Sequence, residues 1–257
     1  MIELSNGRAR VGIDPVNGGR LASLRIDGRE LLVAGDAHSP PMSWGSFPMV
    51  PYAGRVRRGH LEFAGAVHEL PVTLGPHAIH GMGYLQRWTV EPSADGSVRL
   101  SCDLDATWPF GGRAEQVIRL DPDGLDCRLS VTAGDLAMPA QVGWHPWFVK
   151  PDRLVFVATS MYLRDADGMP TGELVEVPEG PWDDCFAGVS EPPRLAWGDL
   201  ELVLTSDCDE WVVYDQLEHA TCVEPQSGPP DGFTLAPHVL APDLGLARWM
   251  RMSWSQP

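Results

Sequence analysis

The amino-acid sequence predicts an all-β sandwich of antiparallel strands, on three observations. The 257 residues include 24 Pro and 27 Gly, which end or bend regular structure and argue against a helical bundle. Apolar and polar residues alternate with period two in several segments, whereas an apolar stripe at helical spacing is missing. Strand, long helix, strand units of a parallel sheet are missing as well. Because 44% of the chain is hydrophobic and sandwiches of roughly 200–250 residues fold as one unit, we expect a single domain over residues 1–257.

The individual strands are predicted from alternation that is interrupted by turn residues. A half-buried strand is expected over residues 98–106, where Val98, Leu100, Cys102, Leu104 and Ala106 alternate with polar neighbours. Hairpins are expected where two such runs flank a Gly-containing turn. They are residues 21–32 around Asp27-Gly28, residues 61–70 around Ala64-Gly65, residues 117–131 around Asp121-Pro122-Asp123-Gly124, and a pairing of 200–204 with 211–214.

Long Pro- and Gly-rich segments separate these strands, and we interpret them as loops. They cover residues 40–58, 75–84, 143–151, 179–187 and 224–237. Polar and titratable side chains gather there, and function is commonly carried by loops on a rigid scaffold. The candidate functional residues are therefore Arg55, His77, His80, His145, Asp183, Asp184 and Glu224.

Charge and composition limit the possible partners. The chain has 19 Lys and Arg against 35 Asp and Glu, a formal net charge of −16. Such a protein has little to offer a nucleic acid backbone or an anionic membrane, so we expect a neutral small-molecule ligand. The sequence shows neither a secretory leader nor a membrane-spanning apolar run, and its five cysteines lack a Cys-x-x-Cys pair, which predicts a cytoplasmic protein with reduced thiols. The oligomeric state stays open between monomer and homodimer.

Two of the candidates suggest acid–base chemistry. His145 lies between Trp144 and Trp147, in an aromatic setting on which a flat ligand or a sugar face can rest. Alternatively it is a packed core imidazole. Glu224 directly follows an apolar strand end and precedes Pro225, a placement that suits a general base but also an ordinary solvated carboxylate.

Metal and cofactor motifs are weak. His77 and His80 are three residues apart in a predicted loop, without further ligands at a recognisable spacing, so we expect no metal. The run Asp165-Ala166-Asp167-Gly168 resembles the start of a calcium loop but predicts a solvated turn, because the later ligand spacing is missing. Phosphate-binding and dinucleotide-binding glycine motifs are also missing, which predicts a protein without a cofactor.

Six motifs in the same order resemble the aldose 1-epimerase (galactose mutarotase) family. They are Pro48-Met49-Val50-Pro51-Tyr52-Ala53-Gly54-Arg55-Val56, His77-Ala78-Ile79-His80-Gly81, Gly143-Trp144-His145-Pro146-Trp147-Phe148, Met169-Pro170-Thr171-Gly172-Glu173, Trp182-Asp183-Asp184-Cys185-Phe186 and Val223-Glu224-Pro225-Gln226. The short chain, with Gly54 before Arg55 and Pro146 after His145, is more similar to the compact bacterial branch.

This resemblance implies a large twisted antiparallel β-sandwich, a supersandwich, with a sugar site in a cleft on one face. It implies that Glu224 is the general base and His145 the general acid of a cofactor-independent isomerase that opens and recloses an aldose ring. It also implies that Arg55, His80 and Asp183 hold the sugar, with Asp184 as the alternative to Asp183. An ionised Glu224 beside a protonated His145 would suit this chemistry near pH 7.

Two alternatives stay open at this point. The same fold could act on a hexose 6-phosphate, for which Arg57 and Arg58 offer cations; strand alternation would place Arg57 on the same face as Arg55. The chain could also be a non-catalytic carbohydrate-binding module, although binding alone does not require an acid and a base.

Overall fold

The computed structural model describes residues 1–94 and 96–255 of the chain, and β-strands dominate it. The predicted domain thus includes three residues, Asp95, Gln256 and Pro257, that lie outside the described ranges. The first strands are β1 (Ile2–Asn6), β2 (Ala9–Asp14), β3 (Arg20–Ile26), β4 (Arg29–Glu30), β5 (Ser46–Met49), β6 (Arg55–Val56), β7 (His60–Phe63), β8 (Ala66–Glu69), β9 (Ala78–Ile79), β10 (Thr89–Glu91), β11 (Ser97–Asp103) and β12 (Arg113–Asp121). The others are β13 (Gly124–Thr132), β14 (Met138–Pro139), β15 (Gly143–Val149), β16 (Arg153–Arg164), β17 (Pro170–Val175), β18 (Asp183–Trp197), β19 (Leu200–Ser206), β20 (Glu210–Tyr214), β21 (Ala220–Gln226), β22 (Val239–Leu240) and β23 (Gly245–Ser255).

In residues 1–94 and 96–255, helical structure is confined to single turns. A four-residue α-helix, α1, covers Gly232–Leu235, and two 3₁₀ turns cover Arg57–Gly59 and Gly83–Leu85. Within the described ranges, the structure has no helix long and apolar enough to cross a membrane.

Seventeen strands form one continuous antiparallel sheet that curls on itself. Its hydrogen-bonded order runs β1-β2-β3-β5-β15-β21-β20-β18-β19-β23-β13-β12-β11-β10, with β4 added to β3 and the pair β16 and β17 added to β18. Three small two-stranded sheets, β6–β9, β7–β8 and β14–β22, accompany it. The predicted all-β class and large antiparallel β-sandwich are therefore confirmed.

Three of the four predicted hairpins are confirmed and one is wrong. The turns at Asp27-Gly28, Ala64-Gly65 and residues 121–124 join β3 to β4, β7 to β8 and β12 to β13. In contrast, β19 pairs with β18 and β23, whereas β20 pairs with β18 and β21, so the predicted pairing of 200–204 with 211–214 does not form. Both segments alternate correctly, but alternation identifies a strand and not its partner. The strand predicted over 98–106 ends earlier, at Asp103.

The core lies between the two arms of the curled sheet. One buried cluster joins residues of β2, β3 and β15, such as Leu24 and Phe148, to residues of β12, β13 and β23, such as Leu129 and Met252. A polar link crosses the same space, because the Trp144 indole N–H donates to the Gln116 side-chain carbonyl over 3.1 Å. Since Trp144 points into this core, its neighbour His145 points to the other face of β15.

Candidate active site

A cavity of about 380 Å³ opens on the face of β15 that lies opposite the core, and it brings together all five predicted site residues. Arg55, His80, His145, Asp183 and Glu224 line it. They come from positions that are far apart in the sequence. The fold therefore brings the five residues together, and their roles stay a prediction.

The register of the sheet places the acid and the base opposite each other. Strand β15 pairs with β21 so that Gly143 faces Gln226 and Trp147 faces Cys222, which puts His145 beside Glu224 between them. The distance from His145 Nε2 to Glu224 Oε1 is 3.3 Å, and 9% and 3% of the two side chains are exposed. This distance is just beyond the reach of about 2.6–3.2 Å for proton transfer, so a slight approach of the two side chains allows them to exchange a proton.

Four of the predicted loops carry their site residue on a strand instead. Arg55 is the first residue of the short strand β6. His145 lies in β15, Asp183 begins β18, and Glu224 is the fifth residue of β21 rather than a residue beyond a strand end. Nearly all of β15 and the whole of β21 are buried on both faces, so neither strand shows alternation, and the prolines at 146 and 225 suggested loops. Strands hold side chains more rigidly than loops, which favours a preorganised site.

Aromatic rings hold the His145 imidazole from both sides. Its ring centroid lies 4.7 Å from that of Phe47 and 5.2 Å from that of Trp147, with interplanar angles of 27° and 13°. Behind Phe47, the buried Arg20 guanidinium lies 4.1 Å from the Trp44 ring centroid. Burial lowers the pKa of His145 to about 3, and the positive charge of Arg20 acts in the same direction.

The carboxyl group of Glu224 is shifted the other way. Burial raises its pKa well above the usual range, the negative charge of Asp183 adds to this, and Arg55 opposes it. The expected ion pair of ionised Glu224 and protonated His145 is thus disfavoured in the ligand-free cavity, because removal from water penalises both charges. A neutral Glu224 beside a neutral His145 holds the same number of protons as the ion pair. The two states differ only in the position of one proton, on the carboxyl group or on the imidazole, across the 3.3 Å contact.

His80 faces the cavity as a hydrogen-bond donor. Its backbone has a φ of 61°, and its ring accepts a hydrogen bond at Nδ1 from the Gly54 N–H over 3.2 Å. Burial lowers the pKa of His80 well below its ordinary value, and the charges on His145 and Arg55 contribute to this. A neutral imidazole that accepts at Nδ1 carries its hydrogen on Nε2.

This tautomer bears on a metal site. His80, His145 and Glu224 each offer one potential ligand atom, and these atoms lie within 4.8 Å of one another. A metal needs a free imidazole lone pair, yet the Gly54 N–H occupies the one on His80 Nδ1. The arrangement fits a donor to an oxygen of a ligand better than a metal ligand.

Asp183, rather than Asp184, reaches the cavity. Arg164 bridges the two carboxylates, with Nη1 3.3 Å from Asp183 Oδ2 and Nε 2.9 Å from Asp184 Oδ1. The side chain of Asp183 is 34% exposed and lines the cavity, whereas that of Asp184 is 13% exposed and lies outside the lining. Alternation along β18 sends the two neighbours to opposite faces.

Arg57 does not share the face of Arg55. The strand β6 ends at Val56, and Arg57 begins a 3₁₀ turn, so the expected alternation fails. The Arg57 guanidinium lies 2.7 Å from Asp165, 3.5 Å from Asp167 and 3.9 Å from Asp231. Arg57 is therefore held by carboxylates outside the cavity.

The turn that holds Arg57 is the predicted turn at residues 165–168. The Asp165 carboxylate accepts hydrogen bonds from the N–H groups of Asp167 and Met169, which closes the turn. The Gly168 carbonyl accepts from Arg55 Nη1 at 3.4 Å, and the Asp167 carbonyl lies 3.2 Å from His77 Nε2. His77 is thus a buried residue that contacts this turn, whereas His80 lines the cavity. The two candidate histidines therefore do not belong to one site.

Several lining residues were missed in the sequence. Tyr214, Val212 and Gln226 line the cavity, from β20 and β21. Tyr214 and Val212 are register partners of Asp183 and Glu224, and Gln226 lies two residues beyond Glu224 on the same strand, so all three share the face of the site. The strand pairing is needed to find Tyr214 and Val212. Gln226 could have been found in the sequence, because it lies two residues after Glu224.

Comparison with known proteins places the chain in a family. A family model described as aldose 1-epimerase matches residues 1–235. The uncharacterised protein YphB of Escherichia coli K12 is 28% identical over 177 residues, which cover 67% of this chain and 60% of the relative. The match thus spans less than two thirds of that relative's length.

Solved structures confirm the fold. A galactose mutarotase-like protein of Clostridium acetobutylicum superposes with a TM-score of 0.89 at 16% identity, covering 99% of this chain and 95% of the other. A galactose 1-epimerase of Lactobacillus acidophilus gives a TM-score of 0.84 at 18% identity, with 99% and 93% covered. At these identities the similarity shows the fold alone.

Proposed function

Since the chain belongs to the aldose 1-epimerase family, we propose that it is a cofactor-independent mutarotase that interconverts the α and β anomers of a free hexose or related aldose. The observation that carries this proposal is the buried pair of His145 and Glu224, whose nitrogen and oxygen atoms lie 3.3 Å apart at the cavity wall. Anomer exchange removes one proton from the sugar and adds one, and this pair holds the one proton needed.

The reaction starts with proton movement within the pair. When sugar hydroxyls enter the cavity, they solvate both side chains, and Arg55 stabilises the carboxylate form of Glu224. Glu224 then takes the proton of the anomeric hydroxyl while His145 gives its proton to the ring oxygen. The bond from C1 to the ring oxygen breaks, the open aldehyde rotates about C1–C2, and reclosure in the reverse sense gives the other anomer.

The other lining residues hold the sugar during this exchange. The His80 Nε2–H and the Arg55 guanidinium donate to sugar oxygens, whereas the Asp183 carboxylate accepts from a hydroxyl. Trp147 supplies an apolar surface beside His145 for a sugar face. All five cysteines are buried and unpaired, which supports the cytoplasmic location that we propose for this reaction.

The charges of the cavity favour a neutral sugar over a hexose 6-phosphate. Within the described part of the chain, Arg55 is the one Lys or Arg that lines the cavity, and it shares the lining with the carboxyl groups of Asp183 and Glu224. Arg57, the cation that would have supported a phosphate site, is held by three carboxylates. The charge of Arg55 is balanced by the Asp183 carboxylate, and the pair of Glu224 and His145 has no net charge. A phosphate dianion would therefore find no net positive charge there.

Polarimetry of freshly dissolved α-D-glucose and α-D-galactose tests the proposal. We expect saturable acceleration by the wild-type protein and a loss of about 100-fold or more in kcat with Glu224→Gln or His145→Asn, since each general acid or base contributes ~10²–10⁴-fold. The surface variants Glu201→Gln and His60→Asn should retain full activity. Sugar binding without acceleration of any aldose would support the binding-module alternative, and full activity of Glu224→Gln would reject the assignment of the base.

A further inference from the structure

Gln226 is a buried polar residue of the cavity that the proposed mechanism does not use. Its side chain lines the cavity with 0% exposure. Among the described residues, its Oε1 has no hydrogen-bond partner, and its Nε2 has only the Cys185 sulfur at 3.8 Å. A buried, unpaired amide oxygen costs free energy, so its retention beside a ligand cavity calls for a partner.

The sheet aims Gln226 at the same space as the catalytic pair. Glu224 and Gln226 are two residues apart on β21 and therefore point to the same face, about 7 Å apart along the strand. Opposite Gln226, strand β15 has Gly143. A Cβ at Gly143 would lie 2.9 Å from the Gln226 Cβ and 2.7 Å from the Pro225 carbonyl oxygen, so the glycine leaves the room that the Gln226 side chain needs.

Gln226 and Asp183 lie on opposite sides of the catalytic pair. On one side, Trp147, Cys222, Tyr214 and Asp183 form a row across β15, β21, β20 and β18. On the other side, Gly143 and Gln226 begin the next row. The row of His145 and Glu224 runs between them.

We propose that Gln226 is a specificity-determining residue whose Oε1 accepts a hydrogen bond from a sugar hydroxyl that flanks the reacting centre on the side away from Asp183. This inference rests on the proposed function for the identity of the ligand. In a hexopyranose, the groups that flank C1 and the ring oxygen are the 2-hydroxyl on one side and the 6-hydroxymethyl on the other. The Gln226 Oε1 therefore accepts a hydrogen bond from one of these two hydroxyls. Sugars that lack either the 2-hydroxyl or the 6-hydroxyl show which of the two it is.

The experiment compares protein variants with substrates that lack single hydroxyls. We would measure kcat/KM by polarimetry, and Kd by calorimetry, for glucose, 2-deoxyglucose and 6-deoxyglucose. Gln226→Met keeps the side-chain length without the amide, and we expect about a tenfold loss for glucose, since one hydrogen bond to a neutral group is worth up to about that factor. The same variant should leave one of the two deoxy sugars unaffected, namely the one that lacks the partner hydroxyl.

Two further variants guard against a folding artefact. Gln226→Glu keeps an acceptor oxygen and should restore part of the discrimination between glucose and that deoxy sugar. Gln116→Met removes another buried glutamine, whose amide is bonded in the core to Gly19 and Trp144, and should change all three sugars equally. Thermal unfolding of each variant checks that it folds.

The inference fails if Gln226→Met weakens all three sugars by the same factor, because the amide would then only support the fold. It also fails if the protein binds none of these sugars. If the wild-type protein binds sugars but does not epimerise them, the proposed function fails, while the Kd values still decide whether Gln226 contacts a hydroxyl.

Discussion

His145 and Glu224 illustrate at the residue scale how burial sets the charge of a side chain. In water the carboxyl group of Glu224 would be ionised near pH 7, and its negative charge would favour the protonated form of a neighbouring imidazole. In the cavity, desolvation favours the neutral imidazole and the neutral carboxyl group. The sequence identifies the residue types, but charge state depends on burial and therefore on the fold.

The lowered pKa of His145 predicts a loss of stability in acid. The folded state has a pKa of about 3 and the unfolded state about 6.5, so below pH 6.5 the unfolded chain binds a proton that the folded chain does not. The stability that His145 contributes is present above pH 6.5 and is lost as the pH falls. Between pH 7.5 and 5.5 the loss amounts to about 1.4 kcal/mol of unfolding free energy.

Urea unfolding of wild type and His145→Asn at these two pH values checks this. The wild-type protein should lose about 1.4 kcal/mol more than the variant on acidification. Equal pH dependence in the two proteins would contradict a neutral, buried His145.

The neighbouring residues Asp183 and Asp184 allow a second prediction to be tested with a matched control variant. Both carboxylates contact Arg164, but Asp183 lines the cavity. Asp183→Asn should therefore lower kcat/KM by about 10- to 100-fold, because a charged hydrogen bond to a hydroxyl is worth about 1.5–3 kcal/mol. Asp184→Asn loses the same ion-pair partner and should change kcat/KM by less than about threefold. The reverse order of effects would show that the cavity is lined by Asp184 in solution.

At the scale of elements, the sequence predicted hairpins well and buried strands poorly. The hairpins β3–β4, β7–β8 and β12–β13 carry a Gly-containing turn between alternating runs, and such local signals are readable without tertiary information. Strands β15 and β21 have apolar or small residues on both faces and contain Pro, so their pattern could not be distinguished from a loop. The five predicted site residues nevertheless line one cavity, because the family motifs mark residues independently of secondary structure.

The segment around Gly54 holds Arg55 and His80 in place. We therefore expect the single methyl group added by Gly54→Ala to lower the activity strongly. Gly54 has a φ of +66°, and a Cβ there would lie 2.8 Å from the Pro230 Cα. Its carbonyl accepts from the His80 N–H over 2.9 Å, and its own N–H donates to His80 Nδ1. Gly54→Ala must therefore move both Arg55 and His80, and we expect kcat/KM to fall more than tenfold, since a misplacement of about 1 Å can cost ~10²-fold.

Gly65→Ala is the control for this prediction. Gly65 also has a positive φ, +78°, but a Cβ there would meet no described atom within 4 Å. This variant should lose about 1–2 kcal/mol of stability from backbone strain alone and keep its kcat/KM. Equal activities of the two variants, measured by polarimetry at matched folded fractions, would show that the Gly54 turn does not position the site.

For the whole molecule, the register of one curled sheet determines which residues meet. His145 and Glu224 are 79 positions apart in the sequence yet line one cavity together with Asp183, because β15, β21, β20 and β18 are adjacent in the sheet. Their pairing depends on contacts between distant segments, which explains why the sequence predicted β19 beside β20 incorrectly. The fold class was predictable because composition and alternation are properties of the whole chain.

The net charge of −16 predicts how the protein discriminates between sugars. The negative field of the whole chain repels a phosphate dianion and leaves a neutral sugar unaffected, and the charge of Arg55 in the cavity is already balanced by Asp183. We therefore expect kcat/KM for glucose to exceed that for glucose 6-phosphate by at least about tenfold at low ionic strength, since unfavourable steering changes association rates by about 10–10³-fold.

Salt distinguishes this long-range effect from the shape of the cavity. The Debye length falls from about 30 Å at 0.01 M to about 8 Å at 0.15 M, so added NaCl should raise kcat/KM for glucose 6-phosphate and leave that for glucose unchanged. Polarimetric rates for both sugars at the two salt concentrations measure the difference. If glucose 6-phosphate were the better substrate at low salt and became worse with added salt, an attractive cationic site would be acting. The neutral-sugar assignment would then be wrong, and Arg57 would have to leave its three carboxylates to bind the phosphate.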